Sequence, residues 1–265
     1  MAIRRLLRGQ LSAAAVEPIV AAVAQRYDLS ANRVTFLEAD NWLSTPLVID
    51  DEVFVKIITD RHSLVHALLT AGRNLGAFSS GTAGFFGHYD SPVEMAEHEL
   101  AATQRMRELG VNVPEPLEAF EVDGFGVLVL EYLPEFRTLD QLDAATVEGH
   151  APDLFAALST MHADGLVHGD LRAENVLVAD GDLYFIDATN VRGDGLDDAR
   201  AYDVACALGA LAPEIGARAA VAAALTAYSP ADLLNARAFL DFVNIRPDHS
   251  FDAAAVKGEI EREAT

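Results

Sequence analysis

A single cysteine, Cys206, stands in a chain of 265 residues, which excludes an intrachain disulfide and a cysteine-cluster metal site. A reducing, cytoplasmic setting is the expectation. Lysine is nearly absent: Lys56 and Lys257 are the only two, and every other basic residue is an arginine. Lysine and arginine together number 19 against 41 acidic residues, a net charge of −22. A field this negative argues against direct binding to nucleic acid or to an anionic membrane. Acidity with arginine in place of lysine also fits a halophilic protein, whose carboxylates abundant salt screens from one another, so the charge reports the solvent as well as the partner. No apolar run reaches the roughly 18 residues of a spanning helix. The basic start, residues 1–8, looks like the first part of a secretory leader, but Glu17 and Pro18 interrupt the stretch behind it, and no leader is expected. No glycine is followed by lysine, which excludes a Walker-type phosphate loop. With 51% apolar residues the chain is expected to fold, as one large domain or two lobes.

Strand signals fill the first half and helix signals the second. A helix over 12–28, capped by Ser12, precedes strands over 33–38, 45–50 and 52–59, with Asp50-Asp51 as a tight turn. Residues 60–90 are glycine-rich at their centre. Ser91 and Pro92 open a helix that runs to about Leu109 and stops at Gly110. Segments 118–122 and 126–132 read as a hairpin across Asp123-Gly124. A helix over 152–163 leads to short strands over 176–178 and 183–186, joined by Asp180-Gly181. Helical patterns then cover 198–211, 214–227, 230–243 and 251–263. The expected class is α+β with two lobes: a helical extension over 1–32, a sheet-rich lobe over 33–133 with a flexible insertion at about 60–90, and a mainly helical lobe over 134–265. A cleft between lobes is a usual place for a ligand.

The chemistry concentrates in His168-Gly-Asp-Leu-Arg-Ala-Glu-Asn175, with Asp187 twelve residues further on. Transfer of a phosphoryl group from ATP needs one carboxylate at the acceptor hydroxyl, and an amide oxygen with a second carboxylate to hold a divalent ion on the phosphates. Asp170 suits the first role, as catalytic base. Asn175 and Asp187 suit the second, because the Asp180-Gly181 hairpin would set them side by side.

This arrangement resembles the protein-kinase-like fold in its atypical branch, the RIO kinases, with a more distant likeness to aminoglycoside and choline phosphotransferases. Typical protein kinases carry arginine where this loop has Gly169. The resemblance implies ATP with Mg²⁺ or Mn²⁺ as cofactors. It implies that Lys56, inside the apolar strand Val53–Ile58, binds the α- and β-phosphates, and that a glutamate of the next helix pairs with it. Glu99 has the expected spacing before Gly110, with Glu94 and Glu97 on the same helix as alternatives. It further implies that Glu131-Tyr-Leu133 is a hinge whose backbone meets adenine, and that Leu177 and Ile186 touch the adenine face, although an ordinary core role suits those two equally. By the same resemblance His168 and Asp203 support the loop, and Arg172 neutralises the transferring phosphoryl. Cys206 reads as a small core residue.

The departures are as informative. Ala39–Ser44 replaces a glycine-rich phosphate loop, so Asn41 or Ser44 would have to help hold phosphate, and Trp42 reads as packing on the sheet. Only fifteen residues separate Asp187 from Asp203, too few for an activation segment with its peptide-docking platform. Forty-two separate Lys56 from Glu99, and the glycine-rich part, residues 72–88 with Ser79, Ser80 and Thr82, suits a mobile lid that is also the first phosphate acceptor. The expected function is a RIO-like serine/threonine kinase or regulatory ATPase, acting on an unidentified protein or small-molecule acceptor. The alternatives are a small-molecule kinase, which would need a larger helical lobe for its acceptor, and a nucleotide-binding pseudokinase, which would have no chemical reason to keep Asp170.

Overall fold

The computed structural model describes residues 11–37, 44–59, 91–188, 196–246 and 250–265. These form two compact units, the first from residues 11–37, 44–59, 91–104 and 114–134, the second from 105–113, 135–188, 196–246 and 250–265. The expected phosphate turn around Asn41 and Trp42, the proposed lid and the basic start lie outside the described residues.

The first unit is an antiparallel sheet flanked by two helices. Its strands are β1 (Val34–Phe36), β2 (Thr45–Ile49), β3 (Val53–Ile58), β4 (Pro116–Val122) and β5 (Phe125–Glu131), in spatial order β1-β2-β3-β5-β4. Strand alternation divides the side chains. Val53, Val55 and Ile57 of β3 join Val127 and Val129 of β5 on one face, where Val16, Ile19 and Val23 of helix α1 (Ala13–Tyr27) cover them. Those three helical positions recur at the period of one helix face. On the other face Ile58, Leu128 and Leu130 pack with Met95 and Ala96 of helix α2 (Pro92–Glu108). The hairpin turns follow from their residues. Asp123 and Gly124 both have positive φ, 49° and 82°, as a two-residue turn between twisted strands requires. Asp50 and Asp51 adopt the same conformation without a glycine, at 53° and 57°. Asp50 compensates in part by accepting from the Arg33 N–H at 2.9 Å. Ser91 caps α2, its Oγ accepting from the Glu94 N–H at 3.2 Å. Ser12 stands at the cap position of α1, but its side chain makes no cap hydrogen bond; its carbonyl accepts from the Ala15 and Val16 N–H groups instead.

The second unit is mainly helical. Helix α3 (Ala144–Ala163) starts eight residues before the expected 152, because Asp143 caps it through the Thr146 N–H at 3.0 Å and Pro152 lies inside it. A small sheet of β6 (Arg137–Thr138), β7 (Val176–Ala179) and β8 (Asp182–Phe185) follows the order β6-β7-β8. Helix α4 (Leu196–Ile215) is buried at every position from Ala201 to Leu211. A helix apolar all round belongs in a core, and its small residues admit close neighbours: a Cβ on Gly209 would lie 2.8 Å from the Phe251 ring. Around it stand α5 (Ala217–Ala224), α6 (Pro230–Arg237), α7 (Leu240–Asn244) and α8 (Ala253–Glu263). The single helix expected over 230–243 is thus two, and that over 214–227 is shorter.

Candidate active site

In the first unit, alternation along β3 turns Lys56 to the face that α2 covers, between Phe54 and Ile58. Its Nζ lies 2.8 Å from both carboxylate oxygens of Glu99. The two residues are 4% and 7% exposed. An ammonium this deep needs a partner of opposite charge, and of the three glutamates considered only Glu99 is buried; Glu94 and Glu97 are exposed. At the end of β5, Glu131 is exposed, and its N–H donates to the Glu115 carbonyl at 2.9 Å. The Tyr132 N–H donates to the Glu52 carbonyl at 3.3 Å. Leu133 is then the first residue beyond the strand whose backbone N–H takes no partner among the described residues. Ser44 is buried, and its Oγ takes none either among those residues.

In the second unit the loop from His168 to Asn175 is tied down at several points. Asp203, fully buried in the middle of α4, accepts from the His168 N–H through Oδ2 and from the Gly169 N–H through Oδ1, both at 2.7 Å. Gly169 has φ of 80°, a conformation that L side chains rarely adopt, which gives a local reason for glycine where typical kinases have arginine. His162 of α3 places Nε2 3.1 Å from Asp203 Oδ2 and Nδ1 2.8 Å from the Tyr228 hydroxyl. An ionised carboxylate only accepts, so Nε2 carries the proton and Nδ1 accepts from Tyr228. Burial pushes the Tyr228 hydroxyl up, so it stays a donor. The His168 ring is buried edge-on to Phe185, and burial lowers its pKa against the opposing pull of Asp203, Asp170 and Asp187.

Asp170 is buried, with Oδ1 accepting from Arg246 Nη2 at 2.5 Å and Oδ2 3.6 Å from Arg172 Nε. Arg172 also donates to Glu174 at 2.9 Å, so carboxylates already hold the guanidinium expected to meet phosphate. Asn175 Nδ2 donates to the Asp170 carbonyl at 2.8 Å, and its amide oxygen Oδ1 accepts from Arg172 Nη2 at 3.4 Å. The Ile186 N–H donates to the Asn175 carbonyl at 3.1 Å, one residue before Asp187. Asp187 itself has φ of 61°, unusual for a residue with a side chain. An amide oxygen and a carboxylate are hard donors that suit Mg²⁺. Among the described residues no group of three or more His, Cys, Asp or Glu could hold an ion unaided, so an ion here would draw most ligands from phosphate and water. Leu177 is buried on β7 and Ile186 half-buried. Burial raises the Cys206 thiol to about 12, which suits an inert core residue. Arg246, His162, Tyr202 and Tyr228 escaped the sequence reading. Arg246 meets Asp170 and Tyr202, and His162 meets Asp203 and Tyr228, across 41 to 76 residues of sequence, and no spacing motif announces such contacts.

Residues 89–192 match the family model of the RIO domain. Over that segment the chain is similar to the RIO domain, and its fold is protein-kinase-like. Over 115 residues it is 30% identical to the KEOPS complex subunit Bud32 of Pyrococcus abyssi, a match that covers 42% of this chain and 51% of that protein. The chain thus spans about half the length of the curated relative it matches. Two solved structures share the kinase-like fold over nearly the whole chain. One, described as a fructosamine-3-kinase of Haemophilus somnus 129PT, superposes with a TM-score of 0.52 at 12% identity, over 94% of this chain and 97% of that one. The other, the ADP-bound aminoglycoside phosphotransferase APH(2'')-Ib, does so with 0.50 at 14%, over 96% and 97%. The RIO-domain match contains Glu99, Glu131, Leu133, Asp170, Asn175 and Asp187, while Lys56 and Asp203 lie outside it. No helix among the described residues is long and apolar enough to cross a membrane.

Proposed function

We propose that the chain is an ATP-dependent phosphotransferase of RIO-like type, a serine/threonine kinase or regulatory ATPase with Asp170 at the acceptor hydroxyl. The observation that carries this reading is the hydrogen bond from Asn175 Nδ2 to the Asp170 carbonyl. It joins the residue that would face the acceptor to one whose amide oxygen, which accepts from Arg172 at 3.4 Å, would exchange that contact for a metal. In this reading the acceptor oxygen bonds to the γ-phosphorus, the bond from that phosphorus to the β,γ-bridging oxygen breaks, and ADP leaves with the electron pair. The acceptor proton passes to the Asp170 carboxylate and on to solvent. Asn175 and Asp187 would hold Mg²⁺ or Mn²⁺, which would neutralise charge on the phosphates. Lys56, oriented by Glu99, would bind the α- and β-phosphates, and Ser44 would assist. Leu133 would donate its N–H to adenine beside Glu131, with Leu177 and Ile186 against the ring, and Arg172 would exchange a carboxylate for the transferring phosphoryl. Likeness to a subunit of a complex supports a protein as partner or acceptor.

The test is transfer of label from γ-labelled ATP in concentrated KCl, with the protein alone and then with added cell extract. Asp170→Asn should lose transfer and keep nucleotide binding; Asp187→Asn should weaken metal-dependent binding itself. A wild-type protein whose melting temperature does not respond to ATP with Mg²⁺ or Mn²⁺ would overturn the reading.

A further inference from the structure

Arg246 has no part in the chemistry above, yet among the described residues it donates to its central carboxylate at 2.5 Å. It follows directly on the last turn of α7, with its N–H donating to the Val243 carbonyl at 3.1 Å. It is 8% exposed. One end of its guanidinium donates to Asp170 Oδ1 at 2.5 Å; the other donates to the Tyr202 hydroxyl at 2.5 Å and lies 3.8 Å from Cys206 Sγ.

Stability alone does not account for this arrangement. Removing a guanidinium and a carboxylate from water costs each of them several kcal/mol, and well-packed apolar residues in their place are often no worse. What the pair supplies is geometry. A planar guanidinium held at both ends fixes the side chain it donates to more tightly than a point charge does. Tyr202 and Asp203 are neighbours on α4, and together they brace one loop twice. Asp203 holds its main chain at His168 and Gly169, and Tyr202, through Arg246, holds the side chain of Asp170.

We infer that Arg246 is a positioning residue: it clamps Asp170 Oδ1 so that the other oxygen, Oδ2, is the one that receives the acceptor hydroxyl. This inference rests on the phosphotransferase reading. Arg246 acts through Asp170 and touches no reacting atom. A clamp of this kind is used where a displacement of about 1 Å in the catalytic group costs orders of magnitude in rate.

The experiment follows phosphate release from γ-labelled Mg²⁺-ATP, with water as acceptor, in wild type, Arg246→Met, Arg246→Lys, Tyr202→Phe, Asp170→Asn and the double variant Asp170→Asn/Arg246→Met. Melting temperature and nucleotide affinity are measured for each. Arg246→Met should lower kcat by roughly tenfold or more and change the KM for ATP by less than about twofold, as expected of an interaction that acts on the chemical step. Arg246→Lys should recover part of the loss, since an ammonium reaches one partner at a time. Tyr202→Phe, which keeps the packing, should lose roughly threefold, and it carries the test if Arg246→Met fails to fold. In the Asp170→Asn background, Arg246→Met should add less than about twofold, because a residue that acts through Asp170 is not additive with it. Equal or faster turnover in a folded Arg246→Met or Tyr202→Phe protein overturns the inference, as do full additivity and a lysine variant no better than methionine. A wild type that binds no nucleotide, or that transfers label neither to water nor to any component of added cell extract, overturns the phosphotransferase reading with it. Wild-type turnover that Asp170→Asn lowers to a small measurable residue and Arg246→Met leaves intact overturns the inference alone.

Discussion

Replacing Lys56 with methionine should destabilise the protein far more than a surface charge reversal would. The substitution keeps most of the volume and leaves the Glu99 carboxylate buried without the ammonium that stood 2.8 Å from both its oxygens. The side chains of the two are 5% and 9% exposed, so water and salt screen them little. Breaking such a pair from one side costs about 3–5 kcal/mol. For a chain of this size that corresponds to a fall of roughly 6–20 °C in melting temperature. Removing both charges is a different perturbation. Lys56→Met/Glu99→Met replaces the pair with apolar volume against Ile58, Met95 and Leu128, and should return to within about 1 kcal/mol of wild type or exceed it. Thermal and urea unfolding of the two singles and the double, at low and high KCl, measure the coupling. The single-variant losses should barely depend on salt. A Lys56→Met protein within about 1 kcal/mol of wild type, or a double variant whose loss is the sum of the singles, would refute the argument. The double variant also separates stability from chemistry: if Lys56 binds phosphate as proposed, restored stability should come without restored turnover.

The remaining predictions concern packing and pH. A Cβ on Gly126 would lie 2.1 Å from the Pro92 carbonyl oxygen and 2.4 Å from its carbon, both backbone atoms at the start of α2. Gly126→Ala should therefore cost about 3 kcal/mol or more, whereas Gly124→Ala meets no atom within 4 Å and suffers only its positive φ, about 1–2 kcal/mol; a smaller fall in melting temperature for Gly126→Ala than for Gly124→Ala would sink this account. His168 is held neutral by burial, its pKa below the ordinary histidine value of 6.5. In the unfolded chain it takes up a proton that the native state refuses, so stability is full above the unfolded pKa and declines as pH falls below it, by at most about 1.4 kcal/mol per pH unit. His168→Gln should flatten melting temperature between about pH 7 and pH 5 relative to wild type; parallel profiles would contradict it.

What the sequence made legible was local chemistry. Asp123-Gly124 and Asp180-Gly181 announce hairpins because few residues accept positive φ twice in succession. Ser91-Pro92 announces a helix start, and Lys56 stands out because charge in an apolar strand demands a partner. Less legible were features that depend on competition between elements. Pro152 looks like a first-turn proline, yet Asp143 caps the helix earlier and the proline is carried inside it. Strand β6 has two residues and no signal of its own; it exists by pairing with Leu177 and Val178. The apolar period over 230–243 runs unbroken through Ala238 and Phe239, but the chain turns there and Phe239 packs edge-on to Tyr202. Arg246 lies 76 residues from Asp170, a separation at which sequence spacing carries no information.

The two buried aspartates of the second unit show why partner chemistry separates roles that a motif only marks. Asp203 accepts from two backbone N–H groups and one imidazole. Backbone donors cannot swing away without unfolding the loop, so those bonds are fixed, and a carboxylate spent on them has a structural task. Asp170 is met by guanidinium groups on long side chains: Arg246 at Oδ1 and Arg172 at a looser 3.6 Å from Oδ2. Side-chain donors can shift by rotamer changes that leave the backbone in place. The carboxylate with exchangeable partners is the one able to take a new hydrogen bond from an arriving hydroxyl. The asymmetry between its tight and its loose contact then says which oxygen yields first: Oδ2, where Arg172 is already shared with Glu174. By this argument Asp203 sets where the loop stands, and on the proposed reading Arg246 would set how Asp170 is turned and an acceptor would displace Arg172 at Oδ2.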